Sequence, residues 1–303
     1  MNTLPSGRAP EPSGSPGGSS EFGADTAVRS AGAGRWSATL HDRWNIGANP
    51  NGGYLLAVAV RAMSEAVERP HAVSVTAHYL APPSVGPVEI ITDIVKAGRS
   101  FATVQASVVQ DERERVRLLG TFGDLAAQRG PTRITATMPR IDPPEACRSL
   151  LELTREAGSP VPEAVHRFDI RLPPDSPWGR AELGEPYEIT GWIRFADGTE
   201  PDTTSLVTFA DAFPPTLIGS IETTWVPTLE LTVHVRNRPA PGWLLGTFRT
   251  RLLIDGLLEE DGEIWDSDGH PVAQCRQLAL ILQPRKRPPA AGGGDEARRL
   301  PSS

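Results

Sequence analysis

The chain has 303 residues, with 30 basic and 37 acidic side chains and a formal net charge of −7. This length suits two domains of ordinary size or one long single-domain fold. The acidic balance argues against nucleic acid or an anionic membrane surface as the main partner, and no apolar run reaches the length of a membrane span.

Both ends of the chain have the composition of disordered tails. The N-terminal stretch is rich in Gly, Pro and Ser, which bury too little apolar surface to offset the entropy of ordering. It also lacks the apolar core of a signal peptide. We therefore predict a tail over residues 1–35 and another over residues 284–303, where Arg285-Lys286-Arg287 is more typical of a solvated tail than of a nucleic-acid site.

The first ordered region is predicted over residues 36–125. Its helix, "NPNGGYLLAVAVRAMSEAV", has a Gly-rich entry at Gly52-Gly53 and then apolar residues at helical spacing. The runs that follow are predicted as strands, namely "HAVSVTAHYL", "PVEIITDIVKAG", "SFATVQASVVQ" and "VRLLGTFGDL".

A connection is predicted over residues 126–165, with "ACRSLLELTREAG" as a short helix. The second ordered region, residues 166–283, opens with extended segments and continues with "TTSLVTFADAF" as a helix. Its predicted strands are "PTLELTVHVR", "WLLGTFRTRLLIDG", "LLEEDGEIWDS" and "PVAQCRQLALIL".

The two ordered regions match each other at a constant spacing of 156 residues (232 − 76). Several matches within one strand-turn-strand pattern indicate a duplicated domain. One helix followed by an antiparallel meander, twice over, predicts an α+β protein in which a sheet wraps around a long helix. The matched pairs are Thr76–Thr232, His78–His234, Pro83–Pro239, Gly86–Gly242 and Val116–Val272.

This pattern resembles the double-hotdog acyl-CoA thioesterases of type II, the TesB-like family. The resemblance extends from Trp36 to Gln283 and is carried by "GWIRFADG", "ADAFPP", "WVPTLELTVHVRNRPAPGW" and "IWDSDGHPVAQCRQLAL". It implies two tandem copies of a long helix wrapped by an antiparallel sheet, hydrolysis of acyl-CoA in fatty acid and lipid metabolism, and assembly into homo-oligomers.

The family activates water with an Asp on the second-half helix, a Thr or Ser at the start of the next strand, and a Gln on the last strand. By position these residues fall on Asp211, Thr228 and Gln277. The family's strand often reads Asp-His-Ser after its hydroxyl residue, whereas this chain has Leu229-Glu230-Leu231.

Asp211 has two interpretations from its surroundings. It lies toward the C-terminal end of its predicted helix, where the helix dipole disfavours an anion, and Pro214 is expected to bend or break that helix. A carboxylate at such a break could reach a cleft and act as a base. It could equally cap a second helical piece that begins at Ala212.

Gln277 and Thr228 are judged from strand alternation. Gln277 is the one polar residue on a face shared with Cys275 and Ala279, so we expect a specific hydrogen bond, either catalytic or structural. In a regular strand Thr228 shares a face with Glu230, opposite the apolar residues, and could be an ordinary outward threonine.

The repeat provides an internal comparison. At the same spacing Thr228 corresponds to Ala72 and Gln277 to Thr121, so we predict one active site per chain, in the second half. Gly52 and Gly53 are predicted substrate contacts, because N–H groups at a helix start can bind a carbonyl oxygen or phosphate. A tight turn is the alternative, and the matching His78 and His234 suggest a shared structural role.

We therefore expect a cytoplasmic acyl-CoA thioesterase without cofactor or metal. Only Cys147 and Cys275 are present, with no metal-ligand spacing and no disulfide framework, which fits a reducing compartment. The alternatives are a non-catalytic acyl-CoA-binding protein and, less favoured, an enoyl-CoA hydratase. The hydratase chemistry uses an Asp and a His near a helix entry, and "NIGANPNGG" and "VTFADAF" contain no His.

Overall fold

The computed structural model describes residues 20–176, 178, 187–221 and 226–282. The helices are α1 (Glu21–Asp25), α2 (Gly52–Val67), α3 (Leu150–Glu156) and α4 (Ser205–Phe209). The strands are β1 (Arg29–Gly32), β2 (Arg35–Leu40), β3 (Asn45–Ile46), β4 (Asn49–Pro50), β5 (His71–Tyr79), β6 (Gly86–Ala97), β7 (Phe101–Gln110), β8 (Arg113–Gly123), β9 (Arg148–Ser149), β10 (Phe168–Leu172), β11 (Tyr187–Phe195), β12 (Thr228–Val235), β13 (Leu244–Thr250), β14 (Leu253–Ile254), β15 (Leu257–Trp265) and β16 (Pro271–Leu280).

One large antiparallel sheet runs through both halves of the chain. Its order is β1-β2-β6-β7-β8-β5-β12-β16-β15-β13-β11-β10-β9, with β14 paired to β15. The halves join at the β5–β12 pair. Helix α2 is buried against the inner face of the first half, as the helical spacing of its apolar residues predicts.

The β5–β12 pair lies on a pseudo-two-fold axis. Thr76 faces Thr232, and their hydroxyl oxygens are 2.8 Å apart. Glu230 pairs with His78, and the residues 156 positions away from these, Ser74 and His234, also pair with each other. Residues at the predicted spacing therefore exchange across the axis, which supports a duplicated domain.

The last strand departs from the predicted spacing by one residue. Leu231 pairs with Gln277, whereas the matching Val75 pairs with Gly120, a spacing of 157 (277 − 120). The cause is the hairpin loop before the last strand, which is one residue longer in the second half. It comprises residues 266–270, between Trp265 and Pro271, whereas the loop in the first half comprises residues 110–113. The counterpart of Gln277 is therefore Gly120, so the predicted match to Thr121 was wrong.

The same shift separates Val116 from Val272. Val116 pairs with Tyr79, and the residue that takes the matching place opposite Val235 is Ala273. Four of the five repeat matches lie before this loop, and only the Val116–Val272 match is out of register.

The second half lacks the long helix that we predicted. The "TTSLVTFADAF" segment forms only α4, five residues long. Asp202 Oδ1 accepts a hydrogen bond from the Ser205 N–H (2.6 Å) at its start. The chain turns after Phe209, and the prolines at 214 and 215 cannot donate the hydrogen bonds that would extend the helix. In the described residues, the two halves therefore contribute unequal helices to the shared sheet, the long α2 in the first half and the short α4 in the second.

Ordered structure begins earlier than the composition predicts. Helix α1 and strand β1 lie inside the predicted tail of residues 1–35, so that prediction was wrong from residue 20 onward. Phe22 packs against Trp44 and Phe195, which offsets the cost of ordering this segment. Residues 1–19 and the predicted tail 284–303 lie outside the described residues.

The connection contains the short helix α3, as predicted. No helix in the described part of the chain is both long and apolar enough to cross a membrane.

Candidate functional site

Asp211 lies in the turn after α4, and its carboxylate reaches the N-terminus of α2. Its Oδ2 accepts hydrogen bonds from the Gly53 N–H (2.8 Å) and from Asn51 Nδ2 (3.0 Å). Asn51 Nδ2 also donates to the Asp211 carbonyl oxygen (2.9 Å), and Asn51 Oδ1 caps α2 by accepting from the Tyr54 N–H (2.9 Å). A carboxylate of the second half is therefore bound by the long helix of the first half.

Two glycines allow this close approach. A Cβ on Gly53 would lie 2.8 Å from the Thr208 carbonyl oxygen and 2.9 Å from Asp211 Cβ. A Cβ on Gly52 would lie 3.0 Å from Asp211 Oδ2, and Tyr79 donates from its hydroxyl to the Gly52 carbonyl (2.8 Å). We predicted that these N–H groups bind substrate, and in this structure the Gly53 N–H binds Asp211.

The surroundings of Asp211 shift the pKa of its carboxyl group toward neutral pH. Burial raises the pKa of its carboxyl group to about 6, while hydrogen bonds from the Gly53 backbone, the Asn51 side chain and the Gly52 backbone lower it. The positive end of the α2 dipole also favours the anion. We predicted an unfavourable dipole from the residue's own helix, but Asp211 lies beyond the end of α4.

Thr228 and Gln277 are in direct contact. Thr228 Oγ1 donates to Gln277 Oε1 (3.0 Å), and Gln277 Nε2 donates to Glu260 Oε1 (3.1 Å). Glu260 Oε2 accepts from the Thr216 N–H (2.9 Å). Gln277 is buried on the inner face of β16, where alternation placed it.

A β-bulge turns Thr228 toward the interior. Thr228 pairs with the buried Ala279, and Glu230 pairs with the next residue back, Leu278, so Leu229 is the extra residue. Residues that pair across antiparallel strands point to the same face, and a bulge re-aims the side chains beside it. The alternation that put Thr228 on the outer face with Glu230 therefore fails at this position.

Glu260 is a buried carboxylate that our sequence reasoning missed. Burial raises its pKa to about 7, the donors on Thr216 and Gln277 lower it, and the charge of Asp211 raises it further. The signal was present in "LLEEDGEIW", because Glu260 alternates with Leu258, Gly262 and Ile264 on one face of β15. A carboxylate on such a face requires specific partners.

Cys275 lies close to both Asp211 and Gln277. It lies on β16, two positions before Gln277, and its thiol is 3.8 Å from the Ala210 carbonyl oxygen, next to Asp211. Burial and the charges of Glu260 and Asp211 raise the pKa of this thiol. It therefore stays neutral and is a poor nucleophile.

The first half carries apolar or small residues at the matching places. Gly120 pairs with both Val75 and Val104, as Gln277 pairs with both Leu231 and Glu260. Val104 thus matches Glu260, and Ala72 takes the place of Thr228 beside an equivalent bulge. The hydroxyl of Thr228, the amide of Gln277 and the carboxylate of Glu260 are therefore features of the second half. By contrast, His78 and His234 match each other across the axis, and both are exposed.

A large antiparallel sheet, one long central helix and a polar site between duplicated halves define a hotdog-type protein. The chain matches the family model for the acyl-CoA thioesterase N-terminal domain over residues 40–123 and that for the C-terminal domain over residues 144–281. It therefore belongs to the acyl-CoA thioesterase family, a class of thioester hydrolases.

Solved structures agree with this assignment. A candidate thioesterase II from Thermobifida fusca YX is 32% identical, with a TM-score of 0.78 over 86% of this chain and 97% of that chain. A hot dog fold protein of unknown function from Alicyclobacillus acidocaldarius has a TM-score of 0.76 at 22% identity, covering 87% and 98% of the two chains. The acyl-CoA thioesterase II TesB2 of Mycobacterium marinum has a TM-score of 0.70 at 17% identity, covering 87% and 99%. The last two likenesses concern the fold alone.

Curated proteins include two informative relatives. An uncharacterised protein of Mycobacterium tuberculosis is 27% identical over 266 residues, which is 80% of this chain and 89% of that protein. The thioesterase-like protein TwmA of Talaromyces wortmannii is 23% identical over 347 residues, covering 94% and 99%.

Proposed function

We propose that this protein hydrolyses acyl-CoA thioesters to a free acid and CoA with a water molecule that Asp211 deprotonates. The observation that carries the proposal is the placement of Asp211, a half-buried carboxylate at the N-terminus of α2 that accepts a hydrogen bond from the Gly53 N–H and whose pKa is raised to about 6. Such a group is ionised at neutral pH and remains basic enough to accept a proton.

Thr228 and Gln277 hold the attacking water and the thioester in this mechanism. Water adds to the carbonyl carbon while its proton passes to Asp211, and the carbonyl oxygen becomes an oxyanion. The carbon–sulfur bond then breaks, and the proton held by Asp211 neutralises the CoA thiolate. A thioester carbonyl at this helix end would share the N–H groups of Gly52 and Gly53 with Asp211.

A non-catalytic acyl-CoA-binding protein is the second candidate. The hydrogen bonds from Asn51 and Gly53 give Asp211 a structural role that needs no chemistry, because they join the two halves of the chain. The hydratase alternative has less support, since the side chain that contacts the Asp211 carboxylate in this structure is an asparagine, with no histidine among its described partners.

The test is release of free thiol from short, long, branched and aromatic acyl-CoAs, with binding of the same compounds measured in parallel. We expect turnover of at least one class by the wild-type chain and its loss in Asp211→Asn with binding retained. Binding without turnover by the wild type would favour the non-catalytic alternative. A cytoplasmic location and a homo-oligomeric state are further parts of the proposal, and a measurement of molecular mass in solution tests the second.

A further inference from the structure

Glu260 is a buried carboxylate outside the proposed set of catalytic residues. Its side chain is 5% exposed, and both oxygens accept hydrogen bonds, Oε1 from Gln277 and Oε2 from the Thr216 N–H. The fold itself does not require an acid here, because Val104 takes the same place in the first half. Burying a carboxylate is costly, so this one needs a specific reason.

The reason lies in the direction of the hydrogen bonds. An ionised carboxylate only accepts, so Gln277 must turn its NH₂ group toward Glu260 and its oxygen toward Thr228. The Thr228 proton is then committed to Gln277. The remaining lone pairs of Thr228 Oγ1 can only accept a hydrogen bond.

We propose that Glu260 is a positioning residue that fixes the amide of Gln277 and thereby makes Thr228 an acceptor for the attacking water. One hydrogen of that water goes to Asp211 and the other to Thr228, which leaves an oxygen lone pair for the thioester carbon. This inference rests on the proposed function and adds a role that only a carboxylate at this position can fill.

The far side of Glu260 is also held in place. Thr216 Oγ1 donates to Thr250 Oγ1 (2.8 Å), behind the N–H that binds the carboxylate. Leu217, the residue after Thr216, and Leu258, two positions before Glu260, belong to a smaller apolar cluster with Ala279 and Ile281. Glu260 is thus anchored on one side and presents its other oxygen to Gln277.

Two titratable groups on neighbouring elements interact with Glu260. Asp211 follows α4 and raises the pKa of Glu260, and Cys275 on β16 is a neutral thiol because burial and the nearby charges raise its own pKa. Protonation of Glu260 would give its carboxyl group a hydrogen to donate. The amide of Gln277 would then no longer be held in one orientation.

The decisive variant is Glu260→Gln, which keeps the shape but can donate as well as accept. Glu263→Gln is its matched control, since Glu263 lies on the same strand and on the opposite face. We expect Glu260→Gln to lower kcat about 10- to 100-fold with little change in KM, and to change the pH profile of kcat, whereas the control behaves as wild type. Equal kcat and pH profiles for the two variants, both folded by circular dichroism, would overturn the inference.

A second readout does not depend on activity. The side-chain amide signal of Gln277, identified by its disappearance in Gln277→Glu, is followed by ¹H–¹⁵N NMR. We expect its chemical shift and hydrogen-exchange rate to change in Glu260→Gln and to stay constant in Glu263→Gln. An unchanged signal in Glu260→Gln overturns the inference. If the wild type hydrolyses no acyl-CoA but this signal responds, the proposed function fails while the control of Gln277 by Glu260 stands.

Discussion

Replacing Asp211 with asparagine should separate activity from stability. Asparagine keeps an oxygen that can accept from the Gly53 N–H, so the junction between α2 and the turn after α4 is preserved. It cannot accept the proton of water at neutral pH. Loss of a general base typically lowers turnover about 10²- to 10⁴-fold, and we expect a fall in kcat of that size.

The stability of Asp211→Asn should be equal to or greater than that of the wild type, although its activity falls. The pKa of Asp211 rises from 3.8 to about 6 on folding, and at about 1.4 kcal/mol per pKa unit its ionisation costs the folded state roughly 3 kcal/mol at neutral pH. Asp211→Asn removes this cost but weakens charged hydrogen bonds. We therefore expect its free energy of unfolding at pH 7.5 to equal or exceed that of the wild type by up to about 3 kcal/mol.

The assay follows thiol release and urea unfolding of both proteins between pH 5 and pH 8. Wild-type kcat should fall about tenfold per pH unit below pH 6, where the carboxylate is protonated. Asp211→Asn with wild-type kcat would refute the assignment of the base. A large loss of stability in this variant would instead show that Asp211 acts mainly as a structural link.

Three further predictions concern Gly53, Thr228 and the pH dependence of stability. Gly53→Ala should destabilise the fold by about 1–3 kcal/mol, because its Cβ would meet backbone atoms of Thr208, whereas Gly130→Ala, with open space around it, should not change the melting temperature. Thr228→Ala should reduce kcat by at least about tenfold while far-UV circular dichroism stays unchanged, since alanine occupies the matching place in the first half. The free energy of unfolding of the wild type, relative to that of Asp211→Asn, should fall from pH 5 to pH 8. A carboxyl group whose pKa is raised on folding contributes stability below its unfolded pKa, and this stability is lost as the pH rises through its folded pKa. A constant difference between the two proteins would contradict this.

Much of the fold could be predicted because its signals are local. The helical spacing in α2 and the apolar runs of the sheet strands reflect which face is buried, and the matches such as Thr76–Thr232 reflect the duplication. The family resemblance then selected Asp211, Thr228 and Gln277 by position. Their roles stay predictions until the variants are measured.

The errors arose where neighbouring elements override a local pattern. The apolar run around α4 reads as a long helix, but the prolines after Phe213 and the approach of α2 leave only a short one. Thr228 follows a strand alternation that a bulge interrupts. Gln277 was aligned with Thr121 because the longer loop before β16 cannot be seen in the repeat spacing.

By itself the sequence determined the duplicated α+β plan, the long helix and the placement of Gln277 on an apolar face, because burial leaves a period in nearby residues. Only the tertiary structure decided what surrounds the carboxylate of Asp211, since its bond to Gly53 joins residues 158 positions apart. It likewise decided that Glu260, Gln277 and Thr228 form one chain of hydrogen bonds. The physical reason is that side-chain direction in a sheet depends on the register between strands, and a single bulge or added loop residue changes that register without a local trace.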